Sequence, residues 1–323
     1  MQGYRLILEG RSILYVDNIE LTIRPLPPFR LDLTAWALKR RPVNTIDTFD
    51  GRVYSRVLLL GGKPVEINVV QIGPPGKPLL RVAAQGARLP QEAEVAMKKT
   101  VVDMLGLNVD LTEFYALSSK HPKLGALVEK FRGLKPTRFP SIFETLANAI
   151  ACQQVSLNVG LLILSRLAQE YGKGLDTSEN KSFPDPEKIS RSDIQKLRAM
   201  GFSRQKATYL RDLSQSVSNG SVALENVATM DDEEAVTYLM SIRGIGRWSA
   251  EYTLLRGLGR LGIFPGDDVG GQNSIGTWMG RQEKMSYERV QELLGKWGDF
   301  RGLIYFHLLL QGLEKSGEPT ING

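Results

Sequence analysis

Apolar and polar residues alternate along the first third of the chain and recur at helical spacing along most of the rest. Between Tyr4 and about Gly86 the runs Glu20–Arg24, Phe29–Thr34, Arg52–Leu60, Val65–Ile72 and Leu79–Ala83 read as strands, several with an apolar residue at every second position. Gly61-Gly62 lies between two of these runs as a hairpin turn. A short helix is expected at Thr34–Arg41 and a clearer one at Pro90–Leu105, while the loops Pro25–Pro28 and Pro74–Pro78 interrupt the pattern. Past residue 112 the period becomes helical. Helices are expected over Pro122–Phe131, Ser141–Cys152, Val155–Tyr171, Arg191–Met200, Ser203–Asn219, Asp231–Met240, Arg247–Gly257, Tyr287–Trp297 and Phe300–Leu313. Gly172, Gly201 and Gly220 follow three of them as stops, and Thr229 with Asp232 has the spacing of a capping box. The pattern predicts an α+β protein: a mixed α/β domain over residues 1–112 and an all-α domain over residues 113–323.

Composition narrows the chemistry more than it identifies it. One cysteine among 323 residues, Cys152, excludes an internal disulfide and a Cys-rich zinc or iron–sulfur centre, and two histidines leave little for a His-based metal site. No apolar run approaches the roughly 20 residues of a membrane span, and the N-terminus lacks a signal-peptide pattern. A reducing, intracellular setting without membrane attachment is expected. The net charge of +6 and a pI near 9.3 are a faint sign of a polyanionic partner. Split at residue 112 it becomes +4 and +2, so the helical part is nearly neutral overall. Locally it is not: Lys120–Arg138 and Lys181–Arg211 each carry +5, which fits either solvated helix faces or contacts to phosphates.

A positioning motif stands at Leu239–Ala250, Leu-Met-Ser-Ile-Arg-Gly-Ile-Gly-Arg-Trp-Ser-Ala. A helix runs into Ile242, Gly244 and Gly246 permit a tight turn, and a second helix starts near Arg247. The N–H groups opening that second helix form an anion site that needs no base sequence to bind DNA phosphates. A plain αα-hairpin remains the alternative on local pattern. Gly257-Leu-Gly259-Arg-Leu-Gly262 matches a dinucleotide fingerprint in letters only, because a helix precedes it and the Pro265-Gly266 loop follows.

Further on comes Phe264-Pro-Gly-Asp-Asp268-Val-Gly270, with Asp268 twenty residues beyond Trp248. A helix–hairpin–helix followed at this distance by a Gly/Pro-rich loop and an aspartate resembles the HhH-GPD superfamily of DNA glycosylases, most closely its 3-methyladenine DNA glycosylase II branch. Leu146–Ser156 is similar to that branch's helix leading to a Gln-x-Val-Ser loop. Leu197–Leu210 resembles its segment with Gly201, Lys206 and Tyr209, and Trp297-Gly-Asp-Phe-Arg301 resembles its closing helix. The four motifs occur in the family's order over about residues 139–313. For the first domain the resemblance implies a TATA-binding-protein-like fold.

It also implies roles. Breaking a base–sugar bond builds positive charge on the sugar, which a carboxylate stabilises while it orients or deprotonates the attacking water. Asp267 and Asp268 both qualify chemically, and the family pattern of Asp before an apolar residue falls on Asp268. The position of the imine-forming lysine in strand-cleaving relatives aligns with Trp248, which implies a monofunctional hydrolase. Trp248 and Tyr252, four apart on the second hairpin helix, would stack on an extruded base, with Gln153 facing it and Phe300 closing the pocket. Gln154 would fill the gap left in the duplex, and Gly244, Gly246, Arg247 and Ser249 would hold the backbone. The carbonyls of Met240, Ile242 and Ile245 would carry a Na⁺ or K⁺ ion, with no cofactor required and no iron–sulfur cluster. Where many relatives carry a basic pair after the aspartate, this chain has Gly271-Gln272-Asn273. The expected protein acts as a monomer on double-stranded DNA with damaged bases, in the cytoplasm at the nucleoid if its source is prokaryotic. Runner-up substrates are uracil, hypoxanthine and oxidised guanine, and the alternative class is a catalytically silent DNA-binding module.

Overall fold

A computed structural model describes residues 4–8, 11–280 and 285–317. Strands β1 (Tyr4–Leu8), β2 (Arg11–Ile23), β3 (Asp47–Phe49), β4 (Val53–Leu60), β5 (Lys63–Gln71) and β6 (Leu80–Pro90) form one antiparallel sheet in the order β1-β2-β6-β5-β4-β3. The β4–β5 hairpin turns on Gly61 and Gly62, with φ of +56° and +74°, the left-handed pair that a two-residue turn of this hand requires. Helix α1 (Leu31–Lys39) follows β2, and α2 (Gln91–Met104) packs across β2, β4 and β6.

Phe29–Thr34, expected as a strand, instead leads into and opens α1. The reason lies in its burial on two sides: Leu31, Ala35 and Leu38 join the core under the sheet, while Leu33 and Ala37 join a helical core beyond it. A helix covered on both flanks loses the one-sided stripe by which helices are recognised.

After α2 the described chain is helical: α3 (Thr112–Ser118), α4 (Pro122–Lys130), α5 (Ile142–Cys152), α6 (Leu157–Tyr171), α7 (Pro186–Ser190), α8 (Ile194–Ala199), α9 (Arg204–Ser218), α10 (Asp232–Ser241), α11 (Arg247–Thr253), α12 (Val269–Met279), α13 (Tyr287–Gly295) and α14 (Arg301–Lys315). Two apolar cores hold them. One gathers Phe114, Leu124, Phe131, Leu294, Leu303 and Phe306, and the other gathers Leu146, Ile150, Leu164, Leu210, Leu239 and Leu254. Helix α11 runs along the seam, giving Tyr252 to the first core and Ala250 to the second. Side chains at its start therefore reach the mouth of the cleft between the cores.

Caps follow the short polar residues, with one correction. Ser141, Ser156, Ser203 and Ser286 each accept an N–H from the first turn of the next helix. The capping box before α10 is Asp231 with Glu234 rather than Thr229 with Asp232, because Thr229 still belongs to a 3₁₀ turn, Leu224–Thr229. Among the described residues no helix is long and apolar enough to cross a membrane.

Candidate active site

Five segments converge on a cavity of about 870 Å³. The residue after α1 is Arg40, the end of α5 and the loop after it contribute Cys152, Gln153 and Gln154, and α11 contributes Trp248 and Tyr252. The start of α12 brings Asp267, Asp268 and Asn273, and α14 brings Tyr305, Leu308 and Leu309.

Asp268 caps α12 by accepting the Gly270 N–H at 3.0 Å, and it also lines the cavity. Capping and facing the cleft are thus compatible. Burial pushes its carboxyl above the usual aspartate range, while the Gly271 and Gly270 amides, with Tyr305 and Trp248, pull it partly back. Asp267 lines the same cavity but stays exposed. The loop that carries both is fastened from behind: Glu251 accepts the Gly266 N–H at 3.1 Å and the Tyr287 hydroxyl at 2.6 Å, and Gln272 Nε2 donates to the Gly266 carbonyl at 2.8 Å.

Trp248 and Tyr252 stack on one another, centroids 5.4 Å apart at 24°. Tyr252 is buried, and its hydroxyl donates to Asn148 Oδ1 (3.3 Å) and accepts from Arg40 (3.2 Å). The Trp248 indole N–H is buried and is directed to the Asp268 carboxyl, which it helps to keep ionised.

Gln153 Nε2 donates to the Gly244 carbonyl (3.0 Å) and to Ser249 Oγ (3.2 Å), so the residue expected to face the base also braces the hairpin. Gln154 stands exposed with φ of +53°, left-handed backbone that a non-glycine residue adopts at a cost. It lines the cavity beside Gln153. In the hairpin, Gly244 has φ of +90°, and a Cβ on it would collide with the Tyr209 ring. Gly246 is the N-cap of α11, exposed, with open space where a Cβ would be. Arg247 is exposed beside the Tyr287 ring.

Two expected site residues are placed elsewhere. Phe300 precedes α14 and packs on Phe114, centroids 5.8 Å apart, and it is not among the residues lining the cavity, because the 3₁₀ turn Gly298–Phe300 points it into the first core. Ser249 is 1% exposed, and its hydroxyl accepts from Gln153. Sequence reasoning missed Arg40 and Tyr305. Tyr305 had a signal, the aromatic run Tyr305-Phe306-His307 in the closing helix, whereas Arg40 sits in Lys39-Arg40-Arg41, which reads as surface. His307 takes no part in the cavity: buried, with Nδ1 2.7 Å from the Leu303 carbonyl, its pKa is pushed down to about 4 by burial, so it is neutral.

A carboxylate raised by burial, an aromatic pair four residues apart and a glycine hairpin opening a helix define a nucleic-acid site that can strip and hold one base. The model of the HhH-GPD superfamily of base excision DNA repair proteins matches residues 147–299. The chain is similar to a DNA-3-methyladenine glycosylase of Bacillus subtilis, 28% identical over 212 residues, 65% of this chain and 70% of that one. It is also similar to DNA-3-methyladenine glycosylase 2 of Escherichia coli, 28% identical over 243 residues, 75% of this chain and 82% of that one. Among solved structures the 3-methyladenine DNA-glycosylase of Archaeoglobus fulgidus superposes with a TM-score of 0.79 at 27% identity, covering 90% of this chain and 97% of that one.

Proposed function

We propose that the protein is a monofunctional DNA glycosylase of base excision repair that extrudes an alkylated base from duplex DNA, of the 3-methyladenine or 7-methylguanine type, and removes it by hydrolysis. The observation that carries this is Asp268, a carboxylate destabilised by burial, in one cavity with the Trp248–Tyr252 stack. Electron-rich rings attract the electron-poor face of an alkylated base. As the C1′–N bond breaks, its electron pair leaves with the base, and the charge left on the sugar is met by the Asp268 carboxylate. Water then bonds to C1′ and gives up its proton to the Asp268 carboxylate. Trp248 stands where strand-cleaving relatives carry an imine-forming lysine, and an indole forms no imine.

In this reading Gln154 enters the duplex as the base leaves, and Gly246 with Arg247 and the first α11 amides holds the phosphates. The carbonyls of Met240, Ile242 and Ile245 are the hairpin donors for a monovalent cation. They are hard oxygen ligands, and the Ile242 carbonyl, which already accepts the Ile245 N–H at 3.0 Å, retains a second lone pair. Such an ion would add positive charge where a phosphate approaches. The protein acts as a monomer on chromosomal DNA.

The test is base release from methylated duplex DNA. Asp268→Asn is expected to lower the rate roughly 10²–10⁴-fold while binding to an abasic duplex persists. Normal release by that variant would overturn the catalytic assignment, and a borohydride-trapped adduct between wild-type protein and DNA would overturn the monofunctional one.

A further inference from the structure

Glu251 stands one turn beyond Arg247 on α11, on a flank that does not line the cavity, whereas Trp248 and Tyr252 do line it. It is 6% exposed, and its two oxygens serve two different elements. Oε2 accepts the N–H of Gly266, two residues ahead of Asp268, at 3.1 Å. Oε1 accepts the hydroxyl of Tyr287, the first residue of α13, at 2.6 Å. Burial pushes this carboxyl above the usual glutamate range, against the pull of those two neutral donors. Apolar side chains would fasten a helix to a loop at less cost.

Gly266 is gripped from several sides. Gln272 Nε2 donates to its carbonyl at 2.8 Å, and a Cβ on it would fall 2.6 Å from the Tyr287 ring and 2.9 Å from Gln291 Nε2. Gln291 also donates to the Phe264 carbonyl at 3.0 Å and accepts from Arg301 at 3.0 Å. The Asp268 N–H returns to the Pro265 carbonyl at 3.0 Å and closes a turn with Gly266 inside it. A shift of Gly266 is passed on to Asp268 through that turn.

The other end of this network reaches the surface. The Arg247 guanidinium lies over the Tyr287 ring at 4.6 Å, and Arg247 with the first α11 amides is the proposed phosphate contact. A phosphate that fixes the arginine fixes the ring beneath it, and that ring carries the hydroxyl bonded to Glu251.

We infer that Glu251 and Tyr287 are positioning residues: they set Asp268 from behind and, through Arg247, tie its placement to phosphate binding at the hairpin. The inference rests on the glycosylase reading above, and the experiment separates the two.

Single-turnover base release from methylated duplex DNA at saturating protein is measured beside anisotropy binding to an abasic duplex, below the melting temperature of every variant. Glu251→Met is expected to slow release at least about tenfold while its affinity stays within about twofold, since a misplacement of about 1 Å costs on the order of 10²-fold in rate. Glu251→Gln keeps an acceptor for Gly266 and a donor for the Tyr287 oxygen, and is expected to recover most of that loss. Tyr287→Phe tests the same grip with the ring retained, and is expected to slow release about threefold or more at unchanged affinity. Arg247→Ala is expected to slow the saturated step in wild type but not in Tyr287→Phe, the non-additivity of a shared chain of contacts. Unchanged release by Glu251→Met and Tyr287→Phe, parallel losses of rate and affinity, or no recovery in Glu251→Gln overturns the positioning role. Additive losses for Arg247→Ala and Tyr287→Phe overturn the link to the hairpin. No release by wild type overturns the glycosylase reading itself.

Discussion

Asp268 answers to two neighbours, since its oxygen caps α12 while its charge faces the cavity, and burial leaves that charge poorly solvated. A carboxyl whose pKa is higher in the folded than in the unfolded chain binds its proton more tightly when folded. Its stabilising contribution is therefore complete in acid, below the unfolded value, and is lost as pH rises through the folded value. At neutral pH the ionised group stands on the losing side. Asp268→Asn keeps an acceptor for Gly270 and removes the buried charge, so its melting temperature is expected to rise by at least about 2 °C even as base release is lost. A variant that melts no higher than wild type would show that the ion carries no strain. The same shift governs rate: since the ionised form is needed, base release is expected to decline with falling pH sooner than an ordinary aspartate would dictate. At this scale the sequence was informative where spacing carries meaning, as with Trp248, Tyr252 and Asp268, which do share one cavity. Phe300 packs away from the cavity and Arg40 lines it because burial depends on what packs from other elements. Neither the Phe114 ring beside Phe300 nor Tyr252 beside Arg40 is close in sequence.

The hairpin joining α10 to α11 has two glycines that do different work. Gly244 is needed for folding: φ of +90° and the Tyr209 ring leave no room for a side chain. Gly246 has φ of −97°, open to any residue, and faces empty space. Gly244→Ala is thus expected to destabilise the protein by about 2 kcal/mol or more. Gly246→Ala is expected to melt within about 1 °C of wild type and to bind an abasic duplex about tenfold more weakly, because the added methyl stands where a phosphate must approach the α11 amides. Melting curves and fluorescence anisotropy on both variants decide this, and equal effects of the two glycines on stability would refute it. The hairpin was legible because glycine spacing reports backbone geometry directly. Helix α12 was not, since Val-Gly-Gly-Gln-Asn-Ser carries two glycines and few apolar residues, and its inward face is completed by Gln272 and Ile275. Its register is set by Asp268 and by the loop that Glu251 holds.

At the scale of the whole molecule, the sheet and the helices are tied by an ionic cluster without solvent. Arg56 on β4, 1% exposed, bonds Asp47 of β3 at 2.7 Å and both oxygens of Glu144 on α5 at 2.5 and 2.6 Å, and the Tyr54 hydroxyl donates to Asp47 at 2.7 Å. Burial works against the Asp47 charge, but Arg56 and Tyr54 overcome it and hold that carboxyl below its usual range; at Glu144 burial outweighs Arg56 and the carboxyl rises. Net charge hides this cluster because it is local. The cluster also bears on function, since α5 leads directly into Gln153 and Gln154 while the chain leading to β3 starts from Arg40 at the cavity wall. Removing Arg56 strands two buried carboxylates, which is far worse than never having buried the ions. Arg56→Met is expected to lower stability by about 3–5 kcal/mol and to separate the calorimetric unfolding transition into two, as the sheet loosens from the helices. Adding Asp47→Asn and Glu144→Gln to Arg56→Met removes the stranded charges and is expected to recover most of that loss and the single transition. A triple variant as unstable as Arg56→Met would mean that the arginine acts through its packing against the sheet rather than through its charge.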